Sequence, residues 1–300
     1  MQTRTVHRAM SHPNFGDAGV RTQARRERIP RRVAMLAPFV AVLAACRPGQ
    51  APGGQREATV GGNVTVFAAA SLTAAFQEMA ASMGNGKPGT HVAFNFGGSP
   101  TLRTQLAQGA RADVFASADE PNMQGAEADG TIAGKSQIFA QNKLVVIVPA
   151  ANPAGIHRLQ DLARPGIKLV LAQAAVPVGN YARQAFAKLS KDAVFGAAFA
   201  TQAARNVVSD EADVKGVVAK VQLGEADAGV VYQTDVTAAV RPKVTLLAIP
   251  DQFNVIANYP IASVKGAPNM GGGQAFIAYV LSPAGQKILA DYGFGPAPHG

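Results

Sequence analysis

The 300-residue chain has one cysteine, no tryptophan and only 16% charged residues. A lone cysteine cannot form an internal disulfide, so a small disulfide-stabilised fold is excluded. The five histidines do not have the spacing of a metal site, and no Gly-x-Ser-x-Gly turn indicates a serine hydrolase. With 48% hydrophobic residues, the chain is instead suited to a large packed core in two lobes or domains.

The net charge of +9 lies mostly at the N-terminus. Residues 1–45 hold eight of the 28 Lys and Arg but only two of the 19 Asp and Glu, and the remaining 20 basic and 17 acidic residues give +3. No basic block with interleaved aromatic residues follows residue 46. The charge pattern therefore argues against nucleic-acid binding.

The first 45 residues read as an export signal. A basic stretch at 21–32 is followed by an apolar run at 33–45, which is too short to span a bilayer but has the length of a signal-peptide core. The letters LAAC at 43–46 resemble a lipobox, and a segment rich in Gly and Pro follows. We expect lipid attachment at Cys46 and a flexible tether over 46–61.

From residue 62 onward, short β-rich runs alternate with helical periodicity, which is typical of an α/β fold. Strands are predicted at 64–67, 91–96, 113–116, 144–148, 168–172, 229–232 and 244–249. Apolar stripes predict helices over 72–83 and 214–221, and Ser282 followed by Pro283 predicts the start of a last helix. The glycine triplet at 271–273 is interpreted as a loop.

Two serines follow consecutive predicted strands. Ser71 comes after the first strand and Ser99 after the second, and each is expected to cap a helix. The N-terminus of a helix exposes free backbone N–H groups and a partial positive charge, so it can hold an anion without Lys or Arg. Open α/β sheets bind ligands at the carboxyl ends of their strands, which is where both serines lie. Plain helix capping is the alternative for either serine alone.

Five segments together resemble the periplasmic molybdate-binding proteins of ABC importers. They are VTVFAAASL at 64–72, GGSPTL at 97–102, ADVFASAD at 112–119, GEADAGVVY at 224–232 and SPAGQ at 282–286. The resemblance implies a type II periplasmic-binding-protein fold, in which two α/β lobes joined by two hinge crossings close on one oxyanion.

The resemblance also implies a ligand and a site. Molybdate, and with it tungstate, would be held by the hydroxyls of Ser71 and Ser99, by backbone N–H groups at Val178 and Val214, and by the hydroxyl of Tyr232. The metal would thus reach the protein as an oxyanion and not as a bare cation, and no further cofactor is expected. For the two valines, ordinary core packing of the side chain is compatible with this role. The alternative ligand is another small oxyanion such as sulfate or phosphate.

Chain order suggests the lobe boundaries and the partners. Lobe 1 is predicted from 62–141 and 235–300, and lobe 2 from 142–234. The expected partners are the permease subunits of an importer and a membrane reached through the lipid anchor, on the outer face of the cytoplasmic membrane. The protein is expected to be a monomer without enzymatic activity.

Two other classes of protein fit the sequence less well. An enzyme using Ser99 with His91 or His157 would need a strained nucleophile turn, whereas Ser-Pro at a helix start is typical of a cap. The effector domain of a transcription regulator can share this fold, but it would need a helix-turn-helix where this chain has its leader.

Overall fold

The computed structural model describes residues 62–86 and 90–298. The predicted export signal, Cys46 and the tether lie outside the described residues. Within them, no helix is long and apolar enough to cross a membrane.

The described residues form two mixed five-stranded sheets. The strands are β1 (Gly62–Ala69), β2 (Thr90–Gly97), β3 (Val114–Ala116), β4 (Ile132–Asn142), β5 (Leu144–Pro149), β6 (Leu169–Ala172), β7 (Val207–Glu211), β8 (Ala228–Tyr232), β9 (Val244–Ala248) and β10 (Ala257–Val264). The first sheet has the order β2-β1-β3-β10-β4 and the second the order β7-β6-β8-β5-β9. In each sheet the first three strands are parallel, the fourth runs antiparallel to both of its neighbours, and the fifth again runs in the direction of the first three, so the lobes share one plan.

Helices cover the sheets. They are α1 (Thr73–Gly86), α2 (Ser99–Ala107), α3 (Glu120–Ala128), α4 (Pro177–Leu189), α5 (Phe199–Arg205), α6 (Val214–Gln222), α7 (Met270–Leu281) and α8 (Pro283–Asp291). The predicted valine stripe of α6 is buried along its whole length, as its i, i+3, i+4 spacing requires. At α8 the expected cap is present, because Ser282 accepts a hydrogen bond from the N–H of Gly285.

The chain crosses twice between the sheets. It leaves the first sheet at Asn142, enters the second at Leu144, and returns between Ala248 and Ala257. The second crossing differs from the expected boundary at 235, because Val244–Ala248 pairs with β5 at the edge of the second sheet. Chain order alone does not reveal this, because β9 joins the second sheet by pairing with β5 and not with the strands next to it in the sequence.

Three strands are absent from the sequence prediction. Strands β4 and β7 lie at sheet edges; β7 alternates between half-buried and exposed residues, and the part of β4 over 133–138 contains no buried residue, so neither has a strong apolar signal. Strand β10 is central and buried but contains Pro260, which ordinarily argues against a central strand. The proline is accommodated where the pairing with β4 shifts register between Tyr259 and Pro260.

The glycine triplet is the first turn of helix α7 and not the predicted loop. A Cβ on Gly272 would lie 2.6 Å from the side chain of Val64, and one on Gly273 would lie 3.1 Å from Asp113. These glycines let the helix pack closely against β1 and the neighbouring β3. A sequence pattern that signals flexibility in a loop here permits a close approach.

Candidate functional site

All five predicted site residues line one cavity between the two lobes. The first lobe contributes the ends of β1 and β2 and Ala118, which follows β3. The second lobe contributes the first residues of α4 and α6 and the end of β8. The cavity thus lies at the carboxyl ends of parallel strands in both sheets, where α/β folds bind ligands.

Ser71 was predicted to be an N-cap, but it does not cap α1. It is the middle residue of a short 3-10 helix, Ala70–Leu72, that runs directly into α1. The tighter turn moves the cap position back to Ala69, whose side chain cannot cap. The Ser71 hydroxyl is buried and lies 2.9 Å from the hydroxyl of Tyr259.

Ser99 is the first residue of α2 and not its N-cap. Gly98 takes the cap position because its backbone is extended, and Pro100 occupies the first turn, where a missing N–H costs no helical hydrogen bond. The Ser99 oxygen accepts a hydrogen bond from the N–H of Ala118 at 3.1 Å. The Ser99 hydroxyl hydrogen therefore remains for another acceptor.

The second lobe presents two helix N-termini. Helix α4 begins at Pro177 and α6 at Val214. The side chains of Val178 and Val214 are buried in the core, as the packing interpretation requires, and both residues line the cavity. Because the first N–H groups of a helix have no partner within it, both positions can offer a backbone donor to a ligand.

Asp213, which also lines the cavity, caps its own helix. Its carboxylate accepts hydrogen bonds from the N–H groups of Lys215 and Gly216 at 2.8 and 3.2 Å. These bonds hold the Asp213 side chain against the start of its own helix. The ammonium of Lys215 pairs with the buried Asp235 at 2.9 Å, so this cation is already partnered.

Tyr232 is fully buried at the end of β8, and its hydroxyl has no hydrogen-bond partner among the described residues. An unpaired buried hydroxyl destabilises a fold by about 1–3 kcal/mol, so its presence in the cavity points to a missing acceptor. Burial raises the pKa of Tyr232 well above its ordinary value. The group is therefore neutral at physiological pH and keeps a hydrogen to donate.

Two buried residues on the far side of Ser71 from the cavity, Tyr259 and Asn142, were not among the predicted site residues. The Tyr259 hydroxyl contacts Ser71 and also lies 3.3 Å from the amide nitrogen of Asn142. Tyr259 lies next to the proline that concealed β10, so no strand was available on which to place it. In the sequence, a tyrosine beside a proline and outside every predicted element was the one signal that could have indicated this position.

The cavity offers donors without a positive side chain. Among the residues that the structure describes, no Lys, Arg or His lines it, whereas three hydroxyls and two helix N-termini do. Aligned backbone dipoles and hydroxyls can replace the hydration of an anion without a counter-charge. Neither serine has a His, Asp or Glu partner that could activate it as a nucleophile within 62–86 and 90–298. Those residues also contain no cluster of His, Cys, Asp and Glu able to hold a metal cation.

The chain is similar to known transport proteins along most of its length. The family model for bacterial extracellular solute-binding proteins matches residues 64–295. The molybdate-binding protein ModA of Mycobacterium tuberculosis is 39% identical over 259 residues, which span 85% of this chain and 94% of the relative. ModA of Escherichia coli is 34% identical over 240 residues, which span 78% of this chain and 89% of the relative.

A solved structure supports the fold independently. The periplasmic molybdate-binding protein of Azotobacter vinelandii superposes with a TM-score of 0.67 and 19% identity, covering 77% of this chain and 98% of that protein. At this identity the likeness concerns the two-lobe α/β architecture alone. Taken with the sequence relatives, these findings show that the chain belongs to the ModA family of bacterial extracellular solute-binding proteins.

Proposed function

We propose that the protein captures molybdate, and with it tungstate, outside the cytoplasm and delivers it to the permease of an ABC importer. The observation that carries this is the unpartnered hydroxyl of Tyr232, buried in a cavity lined by two serines and two helix N-termini. The ModA relatives support molybdate as the ligand. The protein would act by binding alone and would carry out no chemistry on the anion.

In the proposed complex, the hydroxyls of Ser71, Ser99 and Tyr232 and the backbone N–H groups of Val178 and Val214 donate to the four oxygens. A fully deprotonated tetrahedral dianion suits such a site because it only accepts hydrogen bonds. Protonated phosphate would bring a hydrogen that finds no acceptor, which disfavours it. Sulfate has the same charge and shape but is smaller, so cavity size would discriminate against it.

Anion capture would be coupled to the meeting of the lobes. Ser71 and Ser99 belong to the first lobe, whereas Val178, Val214 and Tyr232 belong to the second. An anion bound to both sets stabilises the closed arrangement, and the permease would recognise that form. We further propose that the mature protein starts at Cys46, is held by its lipid on the outer face of the cytoplasmic membrane, and acts as a monomer.

Isothermal titration calorimetry of the purified protein tests the ligand. Molybdate, tungstate, sulfate and phosphate are titrated separately at equal ionic strength. We expect one-to-one binding of the first two and much weaker heats for the others. Preferential binding of sulfate or phosphate would refute the ligand assignment and leave an oxyanion receptor. Absence of binding by all four would refute the function.

A further inference from the structure

Behind the cavity, four polar side chains form one buried chain of hydrogen bonds. Ser71 Oγ lies 2.9 Å from Tyr259 Oη, which lies 3.3 Å from Asn142 Nδ2, which in turn lies 2.8 Å from Thr234 Oγ1. All four residues are at most 5% exposed. The series begins at a cavity residue and ends beside the first crossing between the lobes.

The direction of these bonds follows from the donors present. The backbone N–H of Lys143 can only donate, and it donates to Asn142 Oδ1 at 2.9 Å. The amide nitrogen of Asn142 therefore faces the two hydroxyls and donates one hydrogen to Tyr259 and one to Thr234. Tyr259 Oη is thus an acceptor toward Asn142, and its own single hydrogen must find another oxygen.

Among the hydrogen bonds of the described residues, the other one made by Tyr259 Oη is with Ser71 Oγ, because the hydroxyl of Tyr232, whose ring packs against Tyr259, is not in hydrogen-bonding geometry with it. When Tyr259 donates to it, the serine oxygen accepts, and the serine hydrogen is left without a protein acceptor. Ser99 reaches the same state by a different route, because the N–H of Ala118 donates to its oxygen. A backbone N–H thus sets the direction of the hydrogen bond at Ser99. At Ser71 the direction is set by a side-chain hydroxyl, which a substitution can remove.

We propose that Tyr259 is a positioning residue, which donates its hydroxyl hydrogen to Ser71 and so commits the Ser71 hydrogen to the bound oxyanion. This inference rests on the proposed function. Without the tyrosine hydroxyl, Ser71 would lose the partner that aligns it and would rotate among several orientations. Tyr259 is not among the described residues that line the cavity, and Ser71 is the lining residue to which its hydroxyl is hydrogen-bonded, so its hydroxyl would act on binding through Ser71.

A set of mutant cycles tests this dependence. Tyr259→Phe removes only the hydroxyl and keeps the ring that packs against Phe139, Tyr232 and Phe294. Molybdate affinity is measured for Tyr259→Phe alone, with Ser71→Ala and with Ser99→Ala. The control is Tyr292→Phe, which removes a hydroxyl bonded to Glu78 away from the cavity. Thermal unfolding of each variant verifies folding and fixes a working temperature below every transition.

The expected pattern is specific to Ser71. Tyr259→Phe should weaken molybdate binding about fivefold in the wild-type and Ser99→Ala backgrounds, the effect of one misaligned hydrogen bond. In the Ser71→Ala background it should change affinity by less than about twofold, because the group through which it acts is gone.

Two results would overturn the inference while leaving the proposed function intact: wild-type affinity in Tyr259→Phe, or an equal loss in the Ser71→Ala background. The second would show that the hydroxyl acts through general stability of the cleft. Failure of the unmodified protein to bind molybdate or any other oxyanion would refute the proposed function itself, and the inference with it.

Discussion

The two lobes approach the cavity with different chemistry. The first lobe contributes side-chain hydroxyls, Ser71 and Ser99, whose oxygens are already occupied by hydrogen bonds from behind. The second contributes mainly helix N-termini, where the proposed donors are backbone groups at Val178 and Val214. The first kind of contact depends on residue type, whereas the second depends on where a helix begins. Substitutions should therefore affect binding much more in the first lobe.

The largest effect is expected from removing a first-lobe hydroxyl. Ser71→Ala deletes a donor to a buried dianion, and hydrogen bonds to charged groups contribute about 1.5–3 kcal/mol, so molybdate affinity should fall more than about tenfold. Calorimetric titration measures this. Ser136→Ala, on β4 and outside the cavity, is the matched control. Unchanged affinity in Ser71→Ala would remove this serine from the site.

A substitution at Gly98 tests whether the two lobes must come together for binding. A Cβ at this position would lie 2.4 Å from the carbonyl oxygen of Ala212, which belongs to the other lobe. Gly98→Ala should hold the lobes apart and weaken binding about tenfold, since a shift of about 1.4 kcal/mol against the closed state has that effect. Small-angle scattering with and without molybdate measures closure.

The control for Gly98 is Gly271→Ala, because a Cβ there meets no atom within 4 Å. Full closure and wild-type affinity in Gly98→Ala would show that the backbone segments at Gly98 and Ala212 can move apart locally without opening the cleft.

Within the described part of the second lobe, Tyr232 is the one side-chain hydroxyl that lines the cavity, and its removal should have opposite effects on two quantities. Tyr232→Phe should weaken molybdate binding about fivefold, less than Ser71→Ala, because one of several donors is lost. The ligand-free protein should become more stable by about 1 kcal/mol, because the variant no longer buries an unpartnered hydroxyl. Titration and chemical unfolding without ligand measure the two effects. A less stable ligand-free variant would indicate that the hydroxyl already has a partner.

The smallest effect on binding is expected at the second-lobe backbone donors. Val214→Ala should change molybdate affinity by less than about twofold, because the N–H group is retained. It should still lower the free energy of unfolding by about 2 kcal/mol, because the side chain is 3% exposed and fills core space. Titration and chemical unfolding give both values. A large loss of affinity with little loss of stability would contradict the contrast between the lobes.

Local patterns predicted the elements whose signal is carried by neighbouring residues. The apolar stripe of α6 and the Ser-Pro start of α8 were read correctly because helix burial and capping need only residues within one or two turns. The same reasoning misassigned Ser71 and Ser99 as caps. Whether a helix starts with a 3-10 turn or one residue earlier than its serine suggests depends on how the strand before it ends, and the residue types alone do not reveal this.

Longer-range features escaped the sequence analysis. Strand β9 was assigned to the first lobe because its partner β5 lies about a hundred residues away in the chain, as the pairing Val145↔Ala248 shows. Tyr259 was missed because Pro260 is typical of a strand edge, whereas a register shift admits it to the middle of the sheet. Both errors concern the pairing of strands, which depends on which distant segments of the chain come together in the folded protein.

The order of residues along the chain is enough to establish the α/β class, the basic N-terminus and the set of polar residues available for binding an anion. Alternating apolar periods and the distribution of charge are properties of the chain and need no partner. Which hydrogens face the cavity depends instead on contacts between segments that are distant in the chain. Asn142, Tyr259 and Ser71 come from three distant segments, and the direction of each hydroxyl follows from the donor packed behind it.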